Sequence, residues 1–522
     1  MKTKNQACDS NTLLTDNVSS FDVAIAASLL SLAELAMSTS DLNNLFLPPG
    51  WNKLAIINCV PQIYRYPGVK GFLAAGRAGN ETSTSVVLAL GIDWTDWLQY
   101  YNQGAMAASP LLSWAGAPAG SLTTVVYNAM YNAVRSSLWD SLKFLADKPL
   151  RTTGIGLGGP LAQMAALDLR NGNSGPDNQS APGDVTCYAL STGPSANASL
   201  ANYFTSKVPD SYIITAGTEA NKVDFFPLEN SGKLASQLGT QVALPVAVPI
   251  FDVPWVERSS EQYLTALGKS PVYPPTHPPT VQQPSGFSRD RAFQYANLCS
   301  VAYQRFQHPD AQNMNISPFV VGQNITANGV VFCTLFISVD TIVAAFRGTC
   351  TWQEFASNES NSQTKTTTIG PNNVSVHTGT SNLYYGLSAA DSELTFKQEL
   401  IAQLSKVQEQ KTLIFTGHGF GGAVANLAAI DITIDGSLTV NFVYTFGANP
   451  VGGPDFAKLS DNTLPNSSFH LARNSDPFPQ LINKWIGYGQ LSTPVSVTGV
   501  PEGDSYPYHS IRSYSRLLNP QE

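Results

Sequence analysis

The residues best placed to do chemistry lie in one glycine-rich turn. The run Leu413-Ile-Phe-Thr-Gly-His-Gly-Phe-Gly-Gly-Ala-Val-Ala-Asn-Leu-Ala-Ala429 reads as strand, sharp turn and helix. That is the layout of a nucleophile elbow, G-x-S-x-G, in which a strained turn lifts a serine hydroxyl to the top of a sheet. Gly417, His418, Phe420, Gly421 and Gly422 fit this layout, but Gly419 stands where the serine belongs. A residue without a side chain cannot serve as a side-chain nucleophile. The turn therefore points to a hydrolase scaffold and argues against ordinary hydrolase chemistry in the same line.

Other reaction classes find less support. The six cysteines (Cys8, Cys59, Cys187, Cys299, Cys333, Cys350) are scattered without a C-x-x-C pair. Neither a metal site nor a disulfide framework is expected, and no cofactor is implied. A net charge of −8 with only 13% charged residues leaves no basic footprint for nucleic acid. The N-terminus has lysines but no apolar stretch behind them, so no ordinary secretory signal is expected. The most apolar segment, Phe21 to Met37, carries Asp22 and Glu34 and reads as an amphipathic helix, not a membrane span. A cytoplasmic protein, or one exported without such a signal, is the expectation.

The elements that must position the elbow occur twice. A proline-rich stretch at 269–286 reads as an extended, semi-rigid linker. On either side, an alanine-rich helix (Phe21 to Met37; Phe287 to Phe306) precedes an apolar strand ending near a glycine (Val86 to Gly91; Ile342 to Gly348). A glycine-rich elbow follows (Gly154 to Gly159; Gly417 to Gly422), then an Ala/Leu helix and a strand at Cys187-Tyr188 or Val443-Tyr444. Asp224-Phe-Phe-Pro echoes Asp476-Pro-Phe-Pro, and Arg258 falls where His509 does. The offset between matched points drifts steadily, from about 263 residues at the elbows to about 251 at Arg258 and His509, as short loop insertions would make it. The reading is an N-terminal tail (1–19), a first domain (20–268), the linker (269–286) and a second domain (287–522). Continuous apolar strands alternating with helices predict mostly parallel, doubly wound α/β sheets covered on both faces.

The second half resembles the class 3, fungal-type lipases of the α/β-hydrolase fold. The resemblance rests on six pieces in order: Ile342–Thr349 (IVAAFRGT), Val376–Gly379 (VHTG), Gly417–Gly422 (GHGFGG), Tyr444–Gly453 (YTFGANPVGG), Asn474–Pro479 (NSDPFP) and Tyr508-His509-Ser510. It implies that Asp476 is the triad acid and His509 the triad base. It puts Thr349 and Phe420 at oxyanion-hole positions, where backbone N–H groups stabilise developing negative charge. It leaves Gly419 at the nucleophile position. Alone, Asp476 before Pro477 would read as a turn former and His509 as a structural histidine; their places in the series single them out. His418 and His377 match positions that serve packing, Arg347 reads as a structural ion-pair partner, and Cys350 as an ordinary half-buried thiol.

The first half departs further. Gly156 again occupies the nucleophile position, Asp224 the acid position, and Arg258 the base position. Arginine stays protonated and cannot act as a base at neutral pH. Gly91-Ile92 replaces the Arg-Gly-Thr of the oxyanion loop. In the region where true lipases carry a lid, the second half has a polar segment, Ala356 to Thr368. The first half has the aromatic crowd Trp94, Trp97, Tyr100, Tyr101 and Trp114, read as core or domain interface.

These readings converge on tandem lipase-like domains that act by binding, with a lipid or acyl-ester ligand or a protein partner. The alternative is an acyl-ester hydrolase in the second half that uses activated water or another nucleophile. The matching loss at Gly156 argues against a single edited residue at Gly419.

Overall fold

Both halves alternate strand and helix, and each builds one mixed sheet from the alternation. The computed structural model describes residues 21–38, 42–45, 47–59, 69–92, 108–110, 116–143, 145, 148–156, 158–171, 184–190, 195–216, 236, 238–244, 267, 277–307, 309–310, 314, 316–351, 354, 357–359, 363–389, 392–408, 410–473, 476–480, 487–491, 494–500 and 509–519. The chain divides into two compact units, residues 1–254 with 258–272, and residues 255–257 with 273–522.

The first unit contributes β1 (Asn52–Cys59), β2 (Val69–Gly76), β3 (Ser85–Ile92), β4 (Ala108–Pro110), β5 (Leu122–Thr124), β6 (Leu150–Ile155), β7 (Val185–Leu190), β8 (Ser211–Ala216) and β9 (Thr240–Leu244). Seven of them form a sheet in the order β1-β2-β3-β6-β7-β8-β9. The first three are antiparallel. From β3 to β9 the pairing is parallel. Parallel neighbours need crossovers, and the helices Val125–Leu142, Gly158–Arg170 and Ala198–Lys207 supply three of them. β3 is buried along its whole length, as a central strand covered on both faces must be.

The helix expected at Phe21 to Met37 runs from Val23 to Ser38. Its burial corrects the amphipathic reading. Ile25, Ala26, Ala27, Leu29, Leu30, Leu32, Ala33 and Ala36 are all buried, in one core with Phe72, Val87 and Tyr212 of the sheet. Its alanines let it approach the strands closely. Asp22 caps its start, accepting from the N–H groups of Ala24 and Ile25 at 2.8 and 2.9 Å.

The second unit contributes β10 (His277–Val281), β11 (Val320–Ala327), β12 (Val330–Ile337), β13 (Thr341–Phe346), β14 (Thr364–Ile369), β15 (Asn372–His377), β16 (Thr412–His418), β17 (Phe442–Phe446), β18 (Ser468–Arg473) and β19 (Pro494–Val500). The sheet order is β10-β19-β18-β17-β16-β13-β12-β11. Read from β11, this is the order of the first sheet, with a two-stranded antiparallel excursion at the same point (β14-β15 against β4-β5) and one extra strand, β10. β11-β12-β13 are antiparallel and β13 to β19 parallel, as in the first unit. The helix Phe420–Asp435 is buried almost all round and forms the centre of one core layer with β13 and β16.

The extra strand corrects the expected linker. His277–Val281 pairs antiparallel with β19, His277 opposite Val500 and Val281 opposite Val497. Pro278 and Pro279 lack N–H groups, so this segment suits a sheet edge, and its register shifts between His277 and Thr280. No helix among the described residues is long and apolar enough to cross a membrane.

Candidate functional site

β16 and the helix Phe420–Asp435 meet at Gly419, whose φ of +54° and ψ of −126° lie outside the range comfortable for other residues. Around it backbones converge. A Cβ on Gly417 would stand 2.5 Å from the carbonyl oxygen of Gly421, and one on Gly421 would strike the carbonyl oxygen of Arg347. The glycine pattern is therefore a packing requirement for bringing the helix start against β13 and β16, independent of any catalytic role.

Asp476 and His509 come together over this turn. His509 Nδ1 lies 3.0 and 2.9 Å from the two carboxylate oxygens of Asp476. Asp476 is fully buried and His509 is 4% exposed. The carboxylate also accepts from the Tyr514 hydroxyl at 2.6 Å and from the Phe478 N–H at 2.9 Å. Burial, and then the neighbouring Asp476, push the Tyr514 phenol well above its ordinary range, so it remains a donor. The Phe478 ring stacks on the imidazole at 3.9 Å between centroids. In the neutral imidazole, Nδ1–H donates to Asp476 and Nε2 keeps its lone pair. A Cβ on Gly419 would stand 2.9 Å from that Nε2. The imidazole faces the turn at Gly419, and that residue offers no hydroxyl.

Other residues hold this pair in place. His418 Nε2 lies 2.6 Å from the backbone carbonyl of His509, and His418 Nδ1 lies 2.7 Å from the Tyr303 hydroxyl. A carbonyl only accepts, so Nε2 carries the proton and Nδ1 accepts from Tyr303. Burial, then the adjacent His509, drive the His418 pKa well below its ordinary value and keep the ring neutral. His418, expected to serve packing alone, thus anchors the backbone that carries His509. Gly447, at φ +55°, lies under the pair; a Cβ there would strike Asp476 Oδ2 and stand 3.0 Å from His509 Nδ1. His377 caps the helix Thr378–Tyr385, its Nδ1 accepting from the Thr380 N–H at 3.2 Å.

The loop after β13 supplies Arg347, Thr349 and Cys350. Arg347 is buried and bonds the Glu354 carboxylate through both terminal nitrogens, at 3.0 and 2.6 Å. It lies over the Phe306 and Phe332 rings. Burial alone would raise the Glu354 carboxyl, but the guanidinium outweighs it and holds the group below its ordinary value. Cys350 is fully buried instead of half-buried; its N–H donates to Glu354 at 2.8 Å and its thiol faces the Gly348 carbonyl. Phe420 is buried against Phe332.

The polar segment Ala356 to Thr368 does more than cover the surface. Glu359 is buried, accepts from the Thr349 hydroxyl, and accepts from Asn449 Nδ2 at 2.6 Å. The Asn449 N–H in turn donates to the carbonyl of Gly419 at 3.3 Å. Burial pushes the Glu359 carboxyl up to about 8. Thr349, Glu359, Asn449 and Gly419 form one connected chain that sequence reading missed, because a carboxylate in a run of Asn, Ser and Thr looks solvated.

In the first unit, Gly156 repeats the turn at φ +55°. Its N–H donates to Leu190 at 2.9 Å, as the Gly419 N–H does to Phe446 at 2.9 Å. A Cβ on Gly158 would strike the Leu90 carbonyl, as one on Gly421 would strike that of Arg347. This places Gly91 and Ile92 level with Gly348 and Thr349. Asp224, Arg258 and the aromatic crowd of Trp94, Trp97, Tyr100, Tyr101 and Trp114 lie outside the described residues.

The second unit's sequence and the chain's fold both have relatives. The chain is 31% identical over 111 residues to a secreted mono- and diacylglycerol lipase of Malassezia restricta, covering 20% of this chain and 36% of the relative. It is 28% identical over 137 residues to phospholipase A1-II 1 of Oryza sativa subsp. indica, covering 23% and 33%. The chain thus spans about a third of the length of these curated relatives. Among solved structures, it is similar to a lipase from Rhizopus microsporus var. chinensis at 22% identity and a TM-score of 0.33, covering 46% of this chain and 90% of that one. It is also similar to the native Rhizomucor miehei lipase propeptide complex at 19% identity and a TM-score of 0.34, covering 46% and 81%. Residues 343–485, a span that holds Thr349, Gly419, Phe420 and Asp476 and stops before His509, match the family model for Lipase (class 3).

Proposed function

We propose that this is a lipase-like protein whose two units descend from one class 3 lipase fold. The second unit binds a lipid or acyl-ester ligand without serine-based hydrolysis. The observation that carries the reading is the 2.9 Å between His509 Nε2 and the Cβ position on Gly419. Acid, base and elbow are assembled, and the attacking atom is absent. A triad lacking one member keeps roughly 10³–10⁴-fold catalysis over water, far below the roughly 10⁶-fold or more of a working enzyme. The shared strand order, and the shared turn at Gly156 and Gly419, support a common origin for the two units. In the first unit Asp224 and Arg258 stand as degenerate counterparts of acid and base.

A second reading draws on the intact dyad: His509 activates a water in place of the serine hydroxyl and the second unit hydrolyses an acyl ester. Assays on short- and long-chain nitrophenyl esters, with a serine-directed phosphonate as probe, separate the two. The binding reading expects neither turnover nor labelling. Turnover that disappears in His509→Ala overturns it.

A further inference from the structure

The space beside Gly419 is faced by donors and acceptors that no described residue uses. No described residue bonds His509 Nε2, although the side chain is 96% buried by its 4% exposure. The helix Phe420–Asp435 starts at Gly419 with no side-chain cap. The N–H groups of Gly422 and Ala423 turn back to the Gly419 carbonyl. Those of Phe420 and Gly421 have no acceptor among the described residues. A cap residue's side chain would enter the same space that the imidazole faces, since the Cβ direction at Gly419 leads to Nε2.

We infer that this space is a carboxylate site, which takes the head of an alkyl carboxylate such as a fatty acid in place of the ester that a serine would attack. The inference rests on the lipid-binding reading above and names the head group. One carboxylate oxygen accepts from His509 Nε2–H. The other accepts from the helix-start N–H groups of Phe420 and Gly421, where the helix dipole favours an anion.

Proton balance follows from the dyad. Nδ1–H is already given to Asp476, so Nε2 donates only when the ring is an imidazolium. The carboxylate is therefore held by the imidazolium form, with Asp476 as the counter-charge, and a ring that is neutral beforehand draws the Nε2 proton from solvent on binding. Among the described residues, the other titratable groups beside His509 are Tyr514 and His418, and both stay neutral. Tyr514, from the helix Ile511–Leu518, is pushed up by burial and Asp476. His418, from β16, is pushed down by burial and by His509. Across the turn, Glu359 carries no charge at neutral pH, because burial raises it to about 8, so this carboxyl does not repel an incoming anion. An ester or alcohol of the same length has no charge to place and takes up no proton.

The test is calorimetry on the full chain at pH 7 with octanoate, methyl octanoate and 1-octanol, in two buffers of different ionisation enthalpy. Octanoate is expected to bind at least about tenfold more tightly than the ester or alcohol, with uptake of at most one proton. His509→Gln keeps the ring's size and polarity approximately but cannot become a cation, and is expected to lose both the preference and the proton uptake. Gly419→Ser, which fills the space, is expected to weaken octanoate independently. Equal binding of the ester or alcohol, or an octanoate preference unchanged in His509→Gln, overturns the carboxylate site and leaves the lipid-binding reading standing. Failure of all three probes to bind overturns the site, and ester turnover in the same samples overturns both readings.

Discussion

His509 Nε2 lies 2.9 Å from where a side-chain carbon on Gly419 would stand. That is a few tenths of an ångström too close for comfort, and the φ of +54° adds strain for any side chain. A serine at this position needs a small retreat of the imidazole, against the Phe478 ring stacked on it.

Gly419→Ser is therefore expected to create nitrophenyl-ester hydrolysis at about 100-fold or more above the parent. It is also expected to lower stability by about 1–3 kcal/mol, because a non-glycine residue is forced into this conformation. Ester kinetics, phosphonate labelling of the new serine, and loss of activity on adding His509→Ala check the first expectation; urea unfolding checks the second. A folded variant that stays silent would show that decay reaches beyond the nucleophile.

The stability of the second unit is expected to peak near pH 6.5. Burial raises Glu359 from 4.5 to about 8, so between those values the folded state holds a proton that the unfolded chain has released. Stability then falls as pH rises through this window. Burial lowers His470 from 6.5 to about 4, and lowers His418 well below 6.5. There the unfolded chain binds the extra protons, and stability is lost as pH falls. Two histidines outweigh one carboxyl below 6.5; from there to about 8 Glu359 dominates, with a slope of at most about 1.4 kcal/mol per pH unit, and nearer pH 9 the buried Cys299 and Cys333 thiols, also pushed up by burial, add their own decline. Urea midpoints from pH 5 to 8 should show the peak, and Glu359→Gln should flatten the decline between 6.5 and 8. A decline that survives in that variant rules out Glu359 as its source.

Tyr514→Phe removes the 2.6 Å bond to Asp476 and the acceptor that the Arg473 N–H uses at 3.1 Å. With both groups buried, the expected loss is about 1–3 kcal/mol. In the Gly419→Ser background it should also lower kcat more than it changes KM, because Asp476 loses the donor that steadies it. Denaturant unfolding and ester kinetics on the double variant measure the two effects.

In the first unit, Asp168 is fully buried and accepts from Tyr131 at 2.9 Å, Trp139 at 2.8 Å, and Arg135 at 2.7 and 2.9 Å. Asp168→Ala leaves the Arg135 charge and two donors without their acceptor, a loss of about 3–5 kcal/mol. Hydrogen exchange should show protection reduced across β6, β7 and the helix Gly158–Arg170, and retained around β16 and β17. Uniform protection in both units would refute this role for Asp168.

The elbow was legible in the sequence because its residues are contiguous. Gly417, Gly419, Gly421 and Gly422 sit within six residues, between an apolar run and a run of alanines, although the atoms they make room for include Arg347, Ala448 and His509 from elsewhere in the chain. The doubly wound sheets were legible from the alternation of apolar strands and helices, and Asp476 and His509, singled out by the family resemblance, do lie in contact. What pairs residues far apart in the chain was not. Tyr303 reaches His418 across 115 positions, and Asn449 reaches Glu359 across 90. Pro278 and Pro279 look like linker until β19 comes alongside. That Gly419 carries no side chain is written in the sequence by itself. The aim of His509 at Gly419, and the buried Glu359 behind Thr349, exist only once the sheet has brought the ends of separate strands to one edge, since hydrogen bonds between distant residues leave no periodic trace along the chain.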